Sequence, residues 1–229
     1  MIRALLSSWK MGFRRENKMI ENSMIKLETS EYMYYDLFKA LDGICERAKN
    51  LMLNFIFRHH AVQDGNIGNL IDIIGDIFTK FNVANLSPAE QIFTVAFCIY
   101  YAWYTKDRDS FTMSSIEWAF DCQHAIKYKD KKYIADFVID FNLINEEDGG
   151  RFFEQNPQFK NLKYVIEIDG HEYHSKKHQM AADYERENNL KELGYSVIRF
   201  TGSQVYNKPL SCVEKMINII VNDIGKEDK

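Results

Sequence analysis

The feature that most restricts the fold is a change in the spacing of apolar residues about halfway along the chain. Up to about residue 104, apolar residues recur at steps of three and four, which is the helical period. Beyond Asp107 they alternate with polar residues, which is the period of a strand. A chain with this order is predicted to combine helices with a sheet.

The first part of the chain is predicted to be helical. One long amphipathic helix is expected over residues 31–60, and a second helical pattern follows over residues 70–81, after a break at residues 63–66. The apolar stripes of these helices are typical of a core or a partner interface. Residues 1–86 are therefore predicted to form an N-terminal helical region that clamps substrate, contacts a partner protein or forms a homodimer.

The second part, residues 87–229, is predicted to be a separate domain with the order α, β, β, β, α, β, α. Its first helix begins with a capping box, with Ser87 as the N-cap, Pro88 at the first helical position and Glu90 at N3, and runs to about residue 104. Strands are expected over residues 116–126, 133–143, 164–169 and 196–201, with a hairpin at residues 129–132 and a loop over residues 145–161. Helices are expected over residues 176–193, closed by Gly194, and over residues 211–224.

Three acidic residues lie in strands that are otherwise suited to burial. Glu167 and Asp169 share one face of their strand with Val165, and Asp136 stands among apolar neighbours in the preceding strand. If the two strands pair, Asp136 and Glu167 come close enough to bind one Mg²⁺ or Mn²⁺, with the Ile168 carbonyl as a third ligand. Such an ion activates water for phosphodiester hydrolysis. The alternative for each acid alone is an ordinary ion pair with Lys or Arg.

A second kind of metal site is also compatible with the sequence. Asp169, His171, His174 and His178 have the short spacings that suit Zn²⁺. A zinc site of these residues would leave Asp136 and Glu167 unexplained.

Two groups of segments carry a resemblance to a known family. The segments Tyr133-Ile134-Ala135-Asp136-Phe137 and Val165-Ile166-Glu167-Ile168-Asp169-Gly170 resemble the PD-(D/E)XK nuclease superfamily. The tail is similar to the branch of very short patch repair endonucleases, in the segments Asp183-Tyr184-Glu185-Arg186, Leu190, Leu193-Gly194-Tyr195 and Val197-Ile198-Arg199-Phe200. The matching segments extend over about residues 90–200. The resemblance implies a mixed α/β fold with a restriction-endonuclease-like αβββαβ core.

The same resemblance implies roles for individual residues. Glu90 would join Asp136 and Glu167 in binding metal, and Gln123 would position a carboxylate or the DNA backbone. The chain departs from the usual pattern at Asp169, where most members have lysine, so Asp169 would widen the metal site or bind water. In the similar branch, histidines follow this strand, so His174 or His171 would orient water or protonate the leaving oxygen.

Arginine and lysine side chains are candidates for contacts with phosphate groups. The net charge of -4 argues against coating nucleic acid by bulk electrostatics, so any contact must be local. The candidates are Arg199 and the four lysines of the hairpin, Lys127, Lys129, Lys131 and Lys132, although lysines are common in any exposed turn. Asp183 and Arg186 could form a surface ion pair on one helix face, but the resemblance favours a structural role for them facing the sheet.

These observations predict a metal-dependent endodeoxyribonuclease, with RNA left open as a substrate. The alternative is a catalytically inactive module on the same fold that binds nucleic acid or protein. Four scattered cysteines without a CxxC pair suggest neither a thiolate metal site nor a disulfide framework. Because no leader or apolar run of 18 residues occurs, the protein is expected to be cytoplasmic, with no membrane partner.

Overall fold

The protein has a mixed α/β fold, in which a four-stranded sheet lies between helices. The computed structural model describes residues 42–60, 78, 80–104, 115–116, 119–143, 153–169 and 177–227. In chain order, the helices and strands of these ranges are α1 (Glu46–His60), α2 (Pro88–Tyr104), β1 (Phe120–Tyr128), β2 (Lys131–Asp140), β3 (Lys163–Asp169), α3 (Lys177–Glu192), β4 (Ser196–Thr201), α4 (Gly202–Asn207) and α5 (Pro209–Glu227).

The strands lie in the sheet in the order in which they occur along the chain. β1 pairs antiparallel with β2, and β2 pairs antiparallel with β3. β3 and β4 are parallel, so the chain must cross over between them, and α3 makes this crossover. The αβββαβ order that the sequence predicts is therefore confirmed.

Apolar side chains pack on both faces of the sheet. On one face, α2 packs against α1 and α5, and a series of phenylalanine rings connects α2 with the strands. Ring centroids of Phe97 and Phe120 lie 4.4 Å apart, and those of Phe93 and Phe137 lie 5.1 Å apart. On the other face, Leu190 of α3 belongs to a smaller cluster with residues of all four strands. The sheet is thus held between two cores, with α2 central to the larger one.

The capping box at the start of α2 is confirmed. The Ser87 N–H donates to Glu90 Oε2 at 2.9 Å, and the Glu90 N–H donates to Ser87 Oγ at 3.4 Å. The helix ends at Tyr104, as expected. The predicted bounds of β4 are also confirmed, and those of α3 differ by one residue at each end.

The expected continuous helix over residues 31–60 is wrong at its centre. Asp42 and Gly43 form a turn, and α1 begins only at Glu46. Gly43 has φ +75°, and a Cβ added there would lie 3.1 Å from the Ala84 Cβ. This left-handed backbone breaks the helical path. Residues 31–41 and most of the second helical pattern lie outside the described residues, and the division of the chain at residue 86 stays a prediction.

Two strand predictions are wrong at their ends. The strand expected over residues 116–126 begins only at Phe120, because Ser115, Ile116 and Ala119 are helical. The strand expected over residues 133–143 is replaced at Phe141–Leu143 by a 3-10 turn. The loop expected over residues 145–161 contains a second 3-10 turn at Pro157–Phe159, and residues 144–152 lie outside the described residues.

The final helix expected over residues 211–224 is confirmed as α5, which is longer at both ends, and the short helix α4, which the sequence did not predict, precedes it. Thr201 caps α4, since its side chain accepts from the Gln204 N–H and the Gln204 side chain accepts from the Thr201 N–H. Pro209 then begins α5, and Lys208 before it has a non-helical backbone, as residues before proline prefer. None of the described helices is long and apolar enough to cross a membrane. All four cysteines are free thiols.

Replacing Gly194 by alanine is expected to lower the free energy of unfolding by about 1 kcal/mol. Gly194 follows α3 with φ +86°, and a Cβ there would meet nothing within 4 Å, so the loss comes from backbone strain alone. Gly194→Asn is the matched control and should lose less, because asparagine tolerates this conformation. Urea unfolding of the three proteins measures the difference, and equal stability of Gly194→Ala and wild type would contradict the strain.

Candidate active site

The pairing of β1 with β2 is irregular beside Asp136. Cys122 pairs with Phe137 and His124 pairs with Ala135, but Gln123 between them has φ 51°. A left-handed backbone at a residue other than glycine inside a strand is strained. The sheet therefore departs from regular geometry at the position where Asp136 lies opposite Gln123.

The side chains of β2 also change faces at this position. Phe137 and Ile139 pack in the larger core, as expected of alternate residues, but Ala135 packs in the smaller core together with Val138. In a regular strand, residues 133, 135, 137, 139 and 141 would share one face, so β2 departs here from the period of two. The change of faces coincides with the left-handed backbone of Gln123, the residue opposite Asp136 on β1.

Glu90 reaches this position from the start of α2. Its Oε2 accepts from the Ser87 N–H and, at 3.3 Å, from Gln123 Nε2. The Glu90 charge also acts on the Asp136 carboxyl, raising its pKa. The structure thus brings Glu90, Gln123 and Asp136 together, and it places Gln123 against a carboxylate, one of the two roles expected for it.

Asp136 lies where β2 and β3 stop pairing. The last pair on this side is Phe137 with Ile166, and the next residues of the two strands are Asp136 and Glu167. The Ile168 N–H donates to Asp136 Oδ2 at 2.7 Å, so a carboxylate oxygen takes the place of a backbone acceptor. Burial raises the pKa of Asp136 from 3.8 to about 6, and the hydrogen bond from Ile168 offsets only part of this effect.

Glu167 is buried, with 9% of its surface exposed, and is paired with Arg186 of α3. Arg186 Nη2 donates to Glu167 Oε1 at 2.8 Å and to the Ile134 carbonyl at 2.5 Å. Burial nevertheless raises the pKa of Glu167 from 4.5 to about 7, with a contribution from the Asp136 charge. The guanidinium therefore compensates only part of the cost of burying this carboxylate.

Glu187 shows what a sufficient ion pair does to a carboxylate in this protein. It pairs with Lys191 at 2.6 Å and with Arg199 at 2.9 Å, and these partners lower its pKa below the usual value. Glu167 has an arginine partner as well, yet its pKa is raised. The two carboxylates differ in burial, which is the largest cause of the raised pKa of Glu167, so one arginine partner does not offset the burial of Glu167.

Each of the two central carboxylates has one oxygen held and one available. Ile168 holds Asp136 Oδ2, and Arg186 holds Glu167 Oε1. Among the described residues, no hydrogen-bond donor contacts Asp136 Oδ1 or Glu167 Oε2. Such an arrangement orients a ligand oxygen while leaving it open, as groups around metal ligands do.

The two acids fit a divalent cation as hard oxygen donors whose mutual repulsion the cation would remove. No group of three His, Cys, Asp or Glu side chains in the described residues could hold a metal. Glu90, Asp136 and Glu167 therefore do not form such a group of three, whereas two carboxylates with a backbone carbonyl contain only two of these side chains and fall outside this finding.

The remaining candidates near the acids are only partly described. Asp169 ends β3 half-buried, and its charge raises the pKa of both Asp136 and Glu167. Ile168 is half-buried and packs against the larger core. His171 and His174 lie outside the described residues, as does the His178 side chain, so the zinc alternative stays a prediction.

The predicted phosphate contacts do not form one cluster. Lys131 pairs with Glu185 of α3, and Arg199 donates to Glu187 Oε2 at 2.9 Å. Lys132 is exposed and, among the described residues, forms no ion pair. Two of the five candidates, Lys131 and Arg199, are thus engaged by carboxylates of α3.

Arg186 is the residue whose role near the acids sequence reasoning missed. It was expected to face the sheet, but its partner there is Glu167, and no ion pair joins it to Asp183 within the described part of the chain. Its Nε is buried without a hydrogen-bond partner. The signal available in the sequence was its spacing of four from Leu190, which places both on the helix face toward the sheet.

Residues 123–220 match the family model REase_MTES_1575, a restriction-endonuclease-like family. The matched range begins at Gln123 and includes Asp136, Glu167 and Arg186. No curated protein and no solved structure matches the chain. The match supports a nuclease-type family for this part of the protein and does not confirm the branch of very short patch repair endonucleases.

Replacing Asp136 by asparagine is expected to stabilise the metal-free protein at pH 8 by about 1–2 kcal/mol. The folded pKa of about 6 lies above the ordinary 3.8, so the stability contributed by the protonated carboxyl is present below about pH 4 and is lost as the pH rises through 6. Asparagine does not titrate, and its side-chain oxygen can still accept from Ile168. Urea unfolding in EDTA at pH 4 and pH 8 measures the effect.

The control for this measurement is Glu214→Gln, which removes an exposed carboxylate on α5. It should leave the pH dependence of stability unchanged. If Asp136→Asn is less stable than wild type at pH 8, the carboxylate serves the fold and not a site.

Proposed function

We propose that this protein is a divalent-metal-dependent nuclease that hydrolyses phosphodiester bonds in DNA. The observation that carries the proposal is the pair of half-buried Asp136 and buried Glu167, two carboxylates with raised pKa values at the point where β2 and β3 separate. Both lie in the range that matches a restriction-endonuclease-like family. An endonuclease acting on DNA, and not on RNA, is the form of this activity that the initial resemblance favours.

Asp136, Glu167 and the Ile168 carbonyl would hold Mg²⁺ or Mn²⁺, with Glu90 assisting from α2. When bound, the cation would supply an activated water and positive charge at the phosphate. The Ile168 N–H and the Arg186 guanidinium keep one oxygen of each acid in place, so the other oxygens are oriented in advance. Gln123 fixes Glu90 in the same way.

Three further residues complete the proposal. Asp169 stands at the end of β3, where its charge would widen the metal site or hold a water molecule. His174 or His171 would orient the attacking water or protonate the leaving oxygen. Lys132, which is exposed on the hairpin formed by β1 and β2, would contact phosphate.

A catalytically inactive binding module on the same fold is the second candidate. It is favoured by one observation, namely that Asp136 and Glu167 already have partners in Ile168 and Arg186. The second oxygen of each acid speaks against it, because no hydrogen-bond donor of the described residues contacts Asp136 Oδ1 or Glu167 Oε2.

Wild-type protein is expected to nick or linearise supercoiled plasmid DNA in Mg²⁺ or Mn²⁺, and EDTA should abolish cleavage. Asp136→Asn and Glu167→Gln should each reduce the rate by about 100-fold or more, because a carboxamide is a much poorer ligand for these cations. Gel assays with plasmid and with RNA measure both activity and substrate class.

Glu214→Gln is again the matched control and should cleave at the wild-type rate. Because Asp136→Asn is expected to be the more stable protein, its loss of activity cannot be ascribed to unfolding. Equal cleavage by all four proteins would remove the proposed site.

Metal binding is expected to stabilise the folded wild-type protein. At a free Mn²⁺ concentration of 100 times the dissociation constant, the gain is about 2.7 kcal/mol. Thermal unfolding with and without Mn²⁺ measures the gain, which Asp136→Asn should lack. DNA binding by wild type without any metal-dependent gain in stability would instead favour the inactive module.

A further inference from the structure

The hairpin formed by β1 and β2 carries two lysines directly opposite each other. Lys127 and Lys132 are partners in the antiparallel register, and both are exposed. Like charges at directly opposite positions of a sheet are destabilising. Within the part of the chain that the structure describes, neither lysine forms an ion pair. An external anion would relieve this repulsion.

The two faces of the hairpin differ in what lies against them. Side chains on one face contact α3: Lys131 pairs with Glu185, Tyr133 accepts from Asn189, and Tyr128 donates to Glu192. Because side chains alternate along a strand, Lys127 and Lys132 lie on the opposite face. The structure therefore separates Lys132 from Lys131, which the sequence alone treats as equivalent.

The face that carries Lys127 and Lys132 leads toward the candidate active site. Between the lysines and the Gln123–Asp136 position lies the register pair Ala125 and Ile134, and both side chains are exposed, Ile134 by 43%. Four residues of strand separate Lys132 from Asp136, which is about 14 Å. The same distance along a DNA duplex is about four base pairs.

We propose that Lys127 and Lys132 form a clamp for the phosphate backbone of duplex DNA, about four base pairs from Asp136. The choice of DNA rests on the proposed nuclease function. The charge of the clamp fits this occupant: residues 122–135 contain four lysines and one acid, whereas the whole chain has a net charge of -4. Lys131 and Arg199 are neutralised by α3, so Lys127 and Lys132 keep their charge for phosphate.

The test compares two double variants of equal charge in the same hairpin. Lys127→Gln with Lys132→Gln removes the clamp, and Lys129→Gln with Lys131→Gln is the matched control. Binding of a fluorescent 20-base-pair duplex is measured in EDTA between about 50 and 200 mM salt. The clamp variant should bind about 10-fold more weakly, and its slope of log K against log salt should fall by about two. The control should change the slope by less than half a unit.

The stability of the clamp variant separates binding from folding. Removing two like charges from opposite positions should leave the free energy of unfolding unchanged or slightly raised. Under the conditions in which wild type cleaves DNA, the clamp variant should show a raised KM and an unchanged kcat, since its carboxylates are intact.

The outcomes distinguish the clamp from the nuclease proposal. If wild type binds the duplex, and only the clamp variant binds more weakly and with a smaller salt dependence, the clamp stands even where no protein cleaves DNA. If both double variants lose affinity equally, or if wild type does not bind the duplex, the clamp is overturned. If wild type cleaves DNA and the clamp variant binds the duplex with the wild-type affinity and salt dependence, the clamp is overturned and the nuclease proposal stays intact.

Discussion

The hydrogen bond from the Ile168 N–H to Asp136 Oδ2 is the interaction on which the arrangement of the site depends. β2 and β3 separate after the pair of Phe137 with Ile166, and a buried backbone N–H left without an acceptor would be costly. A side-chain carboxylate supplies the acceptor, which fixes Asp136 beside Glu167. The separation of two strands and the position of two acids therefore have one cause.

The helices and strands around the site are stabilised by apolar packing and not by the acidic residues themselves. Buried carboxylates with raised pKa values weaken a folded protein near neutral pH, so the surrounding packing must compensate. The stacked phenylalanines between α2 and the sheet provide apolar burial on one side, and Leu190 and Val165 provide it on the other. Groups that oppose folding while the rest of the structure supports them are typical of functional sites.

The sequence predicted those structural features that are determined by residues close together along the chain. The capping box at Ser87 and Glu90, the alternation in β3 and the bounds of β4 depend on neighbouring residues, and these predictions are confirmed. The break at Gly43 depends on its approach to Ala84, far along the chain, so helical spacing alone did not reveal it. The pairing of Arg186 with Glu167 and the left-handed backbone at Gln123 are likewise products of tertiary contacts. The roles assigned to the acids remain predictions.

The change of faces at Asp136 divides the hairpin strands into two parts with different evolutionary freedom. Toward Phe137 and Phe120, both faces of the sheet are packed, and substitutions there alter the core. Toward the turn, one face packs on α3, while residues such as Ala125 and Ile134 on the other face are exposed. Substitutions on that exposed face can therefore change what the surface contacts without loss of folding, while the carboxylates and their supports stay fixed.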